Sequence, residues 1–204
     1  MALALNKTAL KQQRDQLAMF ERFLPSLDLK RQQLIADHQR ARRACEDTQR
    51  EIDELQSSSN GLLALLGASE QDLSGLVRVE SVEVREENLL GVRLPVLGDV
   101  RIHVSEYSML AMPFWVDLLV ELLQSMAMLR LRMQVDQERL RRLNEAVRRI
   151  TQRVNLFEKV LIPQAEENIQ RIRIFLSDAE RTAVVRSKIA KAKQQRAEVR
   201  TGRD

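Results

Sequence analysis

A chain of 204 residues with 30% charged, 44% hydrophobic and only 3% aromatic side chains has too few large rings for an ordinary compact core. Its formal net charge of +4 is uneven: 10 Lys/Arg face 9 Asp/Glu in residues 1–60, 4 face 8 in 61–112, and 19 face 12 in 113–204. One cysteine excludes an intramolecular disulfide, and no P-loop, GxSxG or HExxH sequence occurs, so no catalytic residue, cofactor site or metal site is expected.

Glycine placement divides the chain. Five of the six glycines fall between Gly61 and Gly98, and the sixth is Gly202. Two long glycine-free stretches flanking a turn-rich middle predict a mainly α protein. The expected architecture is a long antiparallel two-helix coiled coil with a small β-hairpin-containing element between its arms. The expected divisions are an N-terminal helix over 1–60, a middle over 61–112 with its β element at about 76–104, a C-terminal helix over 113–200, and a tail over 201–204. No uncharged apolar run is long enough to span a bilayer, and no basic-then-apolar leader opens the chain, so a soluble protein without a transmembrane segment is expected.

In the first arm Leu3, Leu10, Leu17 and Leu24 stand seven apart, as do Leu27, Leu34, Ala41, Thr48 and Leu55. The two rows are offset by three and form the a and d positions of one heptad frame. The a row continues as Arg31, His38, Cys45 and Ile52, too polar for a good free dimer but suited to a partner helix of the same chain. Pro25 interrupts the arm, and a kink or a short break is expected there, because proline removes a helix hydrogen bond. Gln56–Asn60 (QSSSN) with Gly61 is a helix stop.

The run Leu62–Leu66 (LLALL) predicts one or two helical turns. The period then changes to alternation: Val77 and Val79, Val82 and Val84, Val92, Leu94 and Val96, and Val100, Ile102 and Val104. The slip at Glu80–Ser81 predicts a bulge. Asn88–Gly91 (NLLG) and Gly98–Asp99 supply turn chemistry between short strands. So small an element must lean on the helices to be stable.

Pro113 suits the start of the second long helix. Met126, Leu129, Met133, Leu140, Leu143, Val147, Ile150, Val154, Phe157 and Leu161 form its seam, with Asp136 at a seam position as a register marker or a place where the first arm has diverged. After Leu161 the apolar row restarts one residue late, as Ile162, Ala165, Ile169, Ile172, Leu176, Ala179 and Ala183, with Pro163 at the discontinuity. A helix from 114 to 198 would measure on the order of 125 Å. Residues 181–204 hold 8 basic and 2 acidic side chains and end in a frayed tail. His38 and His103 carry no metal-ligand pattern, and Cys45 at a seam position reads as a small buried hydrophobe.

The quoted residues also carry a family resemblance. Arg149–Pro163, RITQRVNLFEKVLIP, resembles the RRVNALE-x-V-x-IP signature of the D subunit of the V-type and archaeal-type rotary ATPases. Asn88–Pro95, NLLGVRLP, resembles that family's N-x-x-GV-x-x-P element, and Asn6–Leu34, ending LDLKRQQL, is similar to its N-terminal helix. Pro25 and Phe157 depart from the family pattern, the latter standing where a small residue is usual.

The resemblance implies a non-catalytic central-stalk axle on the cytoplasmic side of a membrane-bound ATPase. Its partners would be the catalytic and non-catalytic nucleotide-binding ring subunits (A and B type), the small F subunit of the stalk, and a funnel-shaped adaptor on the membrane rotor. Candidate ring contacts are Arg148, Arg149, Arg153, Asn155, Glu158 and Pro163, and Asn88, Gly91, Val92 and Pro95 are the candidate element for docking the small partner. For the arginines the plainer reading is a solvated face; for Asn155 and Glu158 it is intrahelical pairing. Two other functions fit the residues alone: a free-standing coiled-coil adaptor, and a nucleic-acid binder using the basic tail. The tail lacks the aromatics of a single-strand binder, and no direct nucleic-acid contact is expected.

Overall fold

The computed structural model describes residues 3–62, 75–105 and 113–201, with side chains through Lys193. Helix α1 spans Lys7–Ser58. Asn6 caps it, its Oδ1 accepting the Ala9 N–H at 2.7 Å and so satisfying one of the first-turn donors. The helix ends where the serine run stands. The hydroxyls of Ser57, Ser58 and Ser59 donate back to the carbonyls of Glu54, Leu55 and Gln56 at 2.9, 3.0 and 2.8 Å. These hydroxyls compete with the backbone ladder at the helix end, where the Ser59 N–H is itself shared between the Leu55 and Gln56 carbonyls at 3.1 and 3.2 Å. Pro25 lies inside α1 and does not break it. The residue is exposed, so water can reach the carbonyl that its missing N–H leaves free.

The second helical stretch is α2, Trp115–Leu156, then a π-helical turn, Phe157–Leu161, then α3, Ile162–Thr201. The chain forms two compact units, Met1–Leu29 with Thr151–Asp204, and Lys30–Ile150. In the first, Lys7 pairs with Glu180 at 3.9 Å and the Asn168 Nδ2 donates to Gln13 Oε1 at 3.2 Å. Phe20 meets Phe157 edge-on, with ring centroids 5.4 Å apart. Partner numbers fall as the α1 number rises, so the helices run antiparallel. Ala9, Val154, Ala165, Ile169 and Ile172 are buried along this seam.

In the second unit the d row of α1 faces α2. Leu34, Ala41 and Thr48 of that row are buried together with Ile52 of the a row, and Met133, Leu143 and Ile150 are buried on the other helix. The half-buried Arg31, His38 and Cys45 occupy the polar a row. Asp136 has a facing partner in this seam: the Thr48 Oγ1 donates to its Oδ2 at 3.4 Å. The first arm has not diverged there.

Between the helices stands one hairpin of two long strands, β1 (Val77–Leu89) and β2 (Val92–Val104). The expectation of a turn at Gly98–Asp99 is wrong. Both residues lie inside β2, where the register shifts between the pairs Val82↔Val100 and Val84↔Leu97. A Cβ on Gly98 would come within 3.0 Å of the Glu83 carbonyl oxygen, which is why glycine stands there. The expected bulge at Glu80 is present, between Val79 and Ser81. One bulge adds a residue to β1 and the other to β2, so the offset at Val77↔Val104 is restored at Leu89↔Val92.

The strand bases close on Leu76, Trp115, Val116, Leu119 and Val120, with Leu62, Val77, Val104 and Leu122 packed around them. Each such side chain, fully buried, contributes about 1.5–3 kcal/mol. This cluster, not the hairpin's own two-stranded ladder, anchors the element. Of the apolar run Leu62–Leu66 only Leu62 belongs to the described residues.

Candidate functional site

The ten candidate residues fall on two surfaces with different local causes. On the helices, Arg148 is exposed and Arg149 reaches Glu145 at 3.5 Å, one turn back. Glu145 is also held by Arg141 at 2.8 Å. Exposed i,i+4 pairs of this kind contribute only tenths of a kcal/mol, so the Arg149 guanidinium stays available to a partner.

Arg153, in the last turn of α2, and Glu158, in the π turn, are exposed; Asn155 is half-buried. Neither Asn155 nor Glu158 pairs with another described side chain, so the intrahelical pairing considered for them is not formed. Pro163, exposed, follows the π turn directly, and the Ile162 N–H reaches back five residues to the Phe157 carbonyl. The structure thus puts Arg153, Asn155, Glu158 and Pro163 in one compact unit, and Arg148 and Arg149 in the other.

The hairpin residues have structural work. Leu90 and Gly91, the two residues between the strands, have φ of 53° and 83°, the paired positive values that a primed turn requires. The Asn88 Oδ1 accepts the Gly91 N–H at 2.9 Å and holds that turn. Val92 is half-buried and Pro95 buried, beside the fully buried Leu94. Only Asn88 and Gly91 of the four are exposed.

What fastens this end of the hairpin to α2 was not legible in the sequence. The Arg142 Nη1 donates to the Arg93 carbonyl at 3.0 Å and lies 3.4 Å from Glu86, and Arg139 pairs with Glu87 at 3.1 Å. Glu86 and Glu87 face Pro95 and Leu94 across the ladder, so both strands are gripped. Glu138 orients the clamp, accepting from the Arg142 Nε at 2.8 Å and from the Arg141 Nε at 2.7 Å. The hydrogen bonds from Arg141 and then Arg142 hold its carboxyl down to about 2. No local signal marks Arg142 as a clamp, because its hairpin partners, Arg93 and Glu86, are 49 and 56 residues away in sequence.

Burial, and then the charge of Asp136, pushes the Cys45 thiol up, away from the thiolate form. Among the described residues no group of three or more His, Cys, Asp or Glu is gathered to hold a metal, and no helix is long and apolar enough to cross a membrane.

Comparison with known proteins agrees with the residue-level resemblance. The family model for the ATP synthase D subunit matches residues 9–192. A V-type ATP synthase D subunit from Borreliella burgdorferi is 33% identical over 190 residues, covering 93% of this chain and 94% of that protein. The proteins of the same name from Chlamydia felis and Chlamydia muridarum are 35% and 34% identical over 199 residues, covering 96% and 95% of this chain and 96% of each relative. All ten candidate residues lie inside the matched span.

Proposed function

This chain belongs to the D-subunit family of ATP synthases, and we propose that, as a central-stalk component of a V-type ATPase, it is the axle that carries rotation between the nucleotide-binding ring and the ion-translocating membrane rotor. It is a non-catalytic part of a membrane-associated complex. The single observation that supports the axle is the antiparallel apolar seam that α1 forms with α2 in one unit and with the π turn and α3 in the other. Two helices joined along a seam resist twist and bending better than one, as torque transmission demands.

The surface fits the same reading. An axle must not bind any one of several equivalent ring positions too deeply, because a ligand-like minimum would trap one orientation. Exposed guanidinium groups at Arg148, Arg149 and Arg153 attract acidic ring loops without the buried aromatic anchors that make interfaces tight. The ring partners are the A- and B-type subunits. The small F subunit of the stalk docks on the hairpin at its exposed Asn88 and Gly91, with the half-buried Val92 and the buried Pro95 supporting the strand behind them, and the funnel-shaped rotor adaptor takes the membrane-side end of the axle.

Cysteines introduced at Arg148 and on the facing ring subunit test the axle directly. Cross-linking should abolish ATP turnover, and reduction should restore it; undiminished turnover in a fully cross-linked complex refutes the reading. Purification from the native source should recover the chain as one copy with P-loop-bearing subunits. Recovery only as a free homodimer would instead favour a coiled-coil adaptor.

A further inference from the structure

The apolar seam changes frame within one turn. Leu143, Val147, Ile150, Val154, Phe157 and Leu161 follow steps of 4 and 3, and Ile162, Ala165, Ile169, Ile172 and Leu176 follow the same steps displaced by one residue. The buried positions agree: Val154 is 2% exposed before the shift, and Ala165, Ile169 and Ile172 are 4%, 6% and 0% exposed after it. In an unbroken α-helix one added residue would turn everything downstream by about 100° away from the partner. Both segments nevertheless face α1, and the π-helical turn Phe157–Leu161 stands at the displacement. A π turn closes on the fifth residue instead of the fourth and so holds one more residue per turn.

We propose that this turn is a one-residue insertion in the coiled-coil seam, and that the insertion makes it the compliant joint of the helix, where torsion is taken up. Pro163 explains why the turn sits here. In an α-helix its ring would crowd the Lys159 carbonyl and its missing N–H would leave that carbonyl without a donor; the wider turn relieves the crowding. The joint is soft because little holds it. No residue of the turn is buried, the backbone ladder has lost a donor, and the aromatic contact holding it to α1 is Phe157 on Phe20 at its first residue. Its use in rotation rests on the axle reading, but its existence does not.

The test uses the full-length chain. Deleting Val160, an exposed residue of the turn, together with Pro163→Ala, which removes the ring that a plain α-helix would crowd, should merge the two frames into one continuous heptad series. Tm should then change by less than ~3 °C, and amide exchange over residues 158–164 should slow at least ~tenfold. Deleting Gln170, also exposed but outside the turn, should rotate Ile172 and Leu176 off the seam and lower Tm by more than ~8 °C. Pro163→Ala retains the extra residue and should retain the fast exchange. The proposal is overturned if the two deletions are equally damaging, if residues 158–164 already exchange as slowly as 166–172, or if Pro163→Ala alone brings them to that level. These readouts concern the chain alone, so failure of the cross-linking test would leave them standing.

Discussion

The Thr48 hydroxyl donates to the Asp136 carboxylate across the seam between α1 and α2, Oγ1 to Oδ2 at 3.4 Å. Thr48 is wholly buried, in a row otherwise filled by Leu34 and Ala41. Arg132 lies 3.8 Å from the same Asp136 oxygen and 3.7 Å from Glu51 on α1, so one polar layer crosses the apolar seam. A polar layer of this kind penalises slipped alignments, in which each group would face a hydrocarbon side chain.

Asp136→Ala should therefore cost about 1–3 kcal/mol, because it leaves a buried hydroxyl without its partner. Thr48→Val with Asp136→Leu should be neutral or stabilising, since both polar groups then leave together. Urea denaturation of the single and double variants measures the difference. A double variant that is less stable than Asp136→Ala would show that the layer contributes more than mutual satisfaction.

Leu90 holds a backbone conformation that leucine disfavours. Its φ of 53° is required by the two-residue turn, and the left-handed region costs an ordinary L-residue roughly 1–2 kcal/mol. Asn tolerates that region, so Leu90→Asn should raise stability by about 0.5–1 kcal/mol. Thermal denaturation with an unchanged or lower Tm would mean that Leu90, which is 36% exposed, supplies packing that offsets its strain.

Glu138 predicts a pH dependence with a definite sign. Its two arginine partners depress its carboxyl from the ordinary 4.5 to about 2. A depressed carboxylate contributes stability that is present above the unfolded value and is lost as pH falls through the folded one. Tm should then decline between pH 4.5 and 2 with a contribution that Glu138→Gln removes, and the variant should be the less stable protein at pH 7. Parallel Tm curves for the two proteins across that window would rule out the linkage.

Arg142 is the grip on the far end of the hairpin. Removing it with Arg142→Met should leave the helix seams intact and raise amide exchange in residues 84–96 by about tenfold. Arg142→Lys should restore little, because an ammonium cannot reproduce the fork that reaches Glu138 and the Arg93 carbonyl together. Full rescue by lysine would reduce the contact to simple charge pairing.

Much of this was legible in order along the chain, because it depends on neighbours in sequence. The rows of Leu34, Ala41 and Thr48 and of Leu143, Ile150 and Val154 report helix faces through their spacing alone, and the serine run marks the end of α1 through its own hydroxyls. The slip at Glu80 announced a bulge because strand alternation has a period of two. Even the displacement at Leu161–Ile162 could be counted. What it could not reveal was how the backbone absorbs the extra residue. A break, an unwinding or a π turn all give the same spacing, and the choice depends on both flanking segments packing against α1.

Only the tertiary structure decided the rest. Gly98–Asp99 is turn chemistry by composition, yet β2 runs through it because the ladder facing it continues past Glu83 and glycine alone fits beneath that carbonyl. Asp136 was an anomaly in a seam until Thr48 faced it. Arg142 was one arginine among many until Glu86 and Arg93 arrived from the hairpin. Spacing reveals which face of an element is apolar, since that follows from its own dihedral repeat. Which polar groups meet across faces is settled only when elements far apart in sequence pack and exclude water from between them.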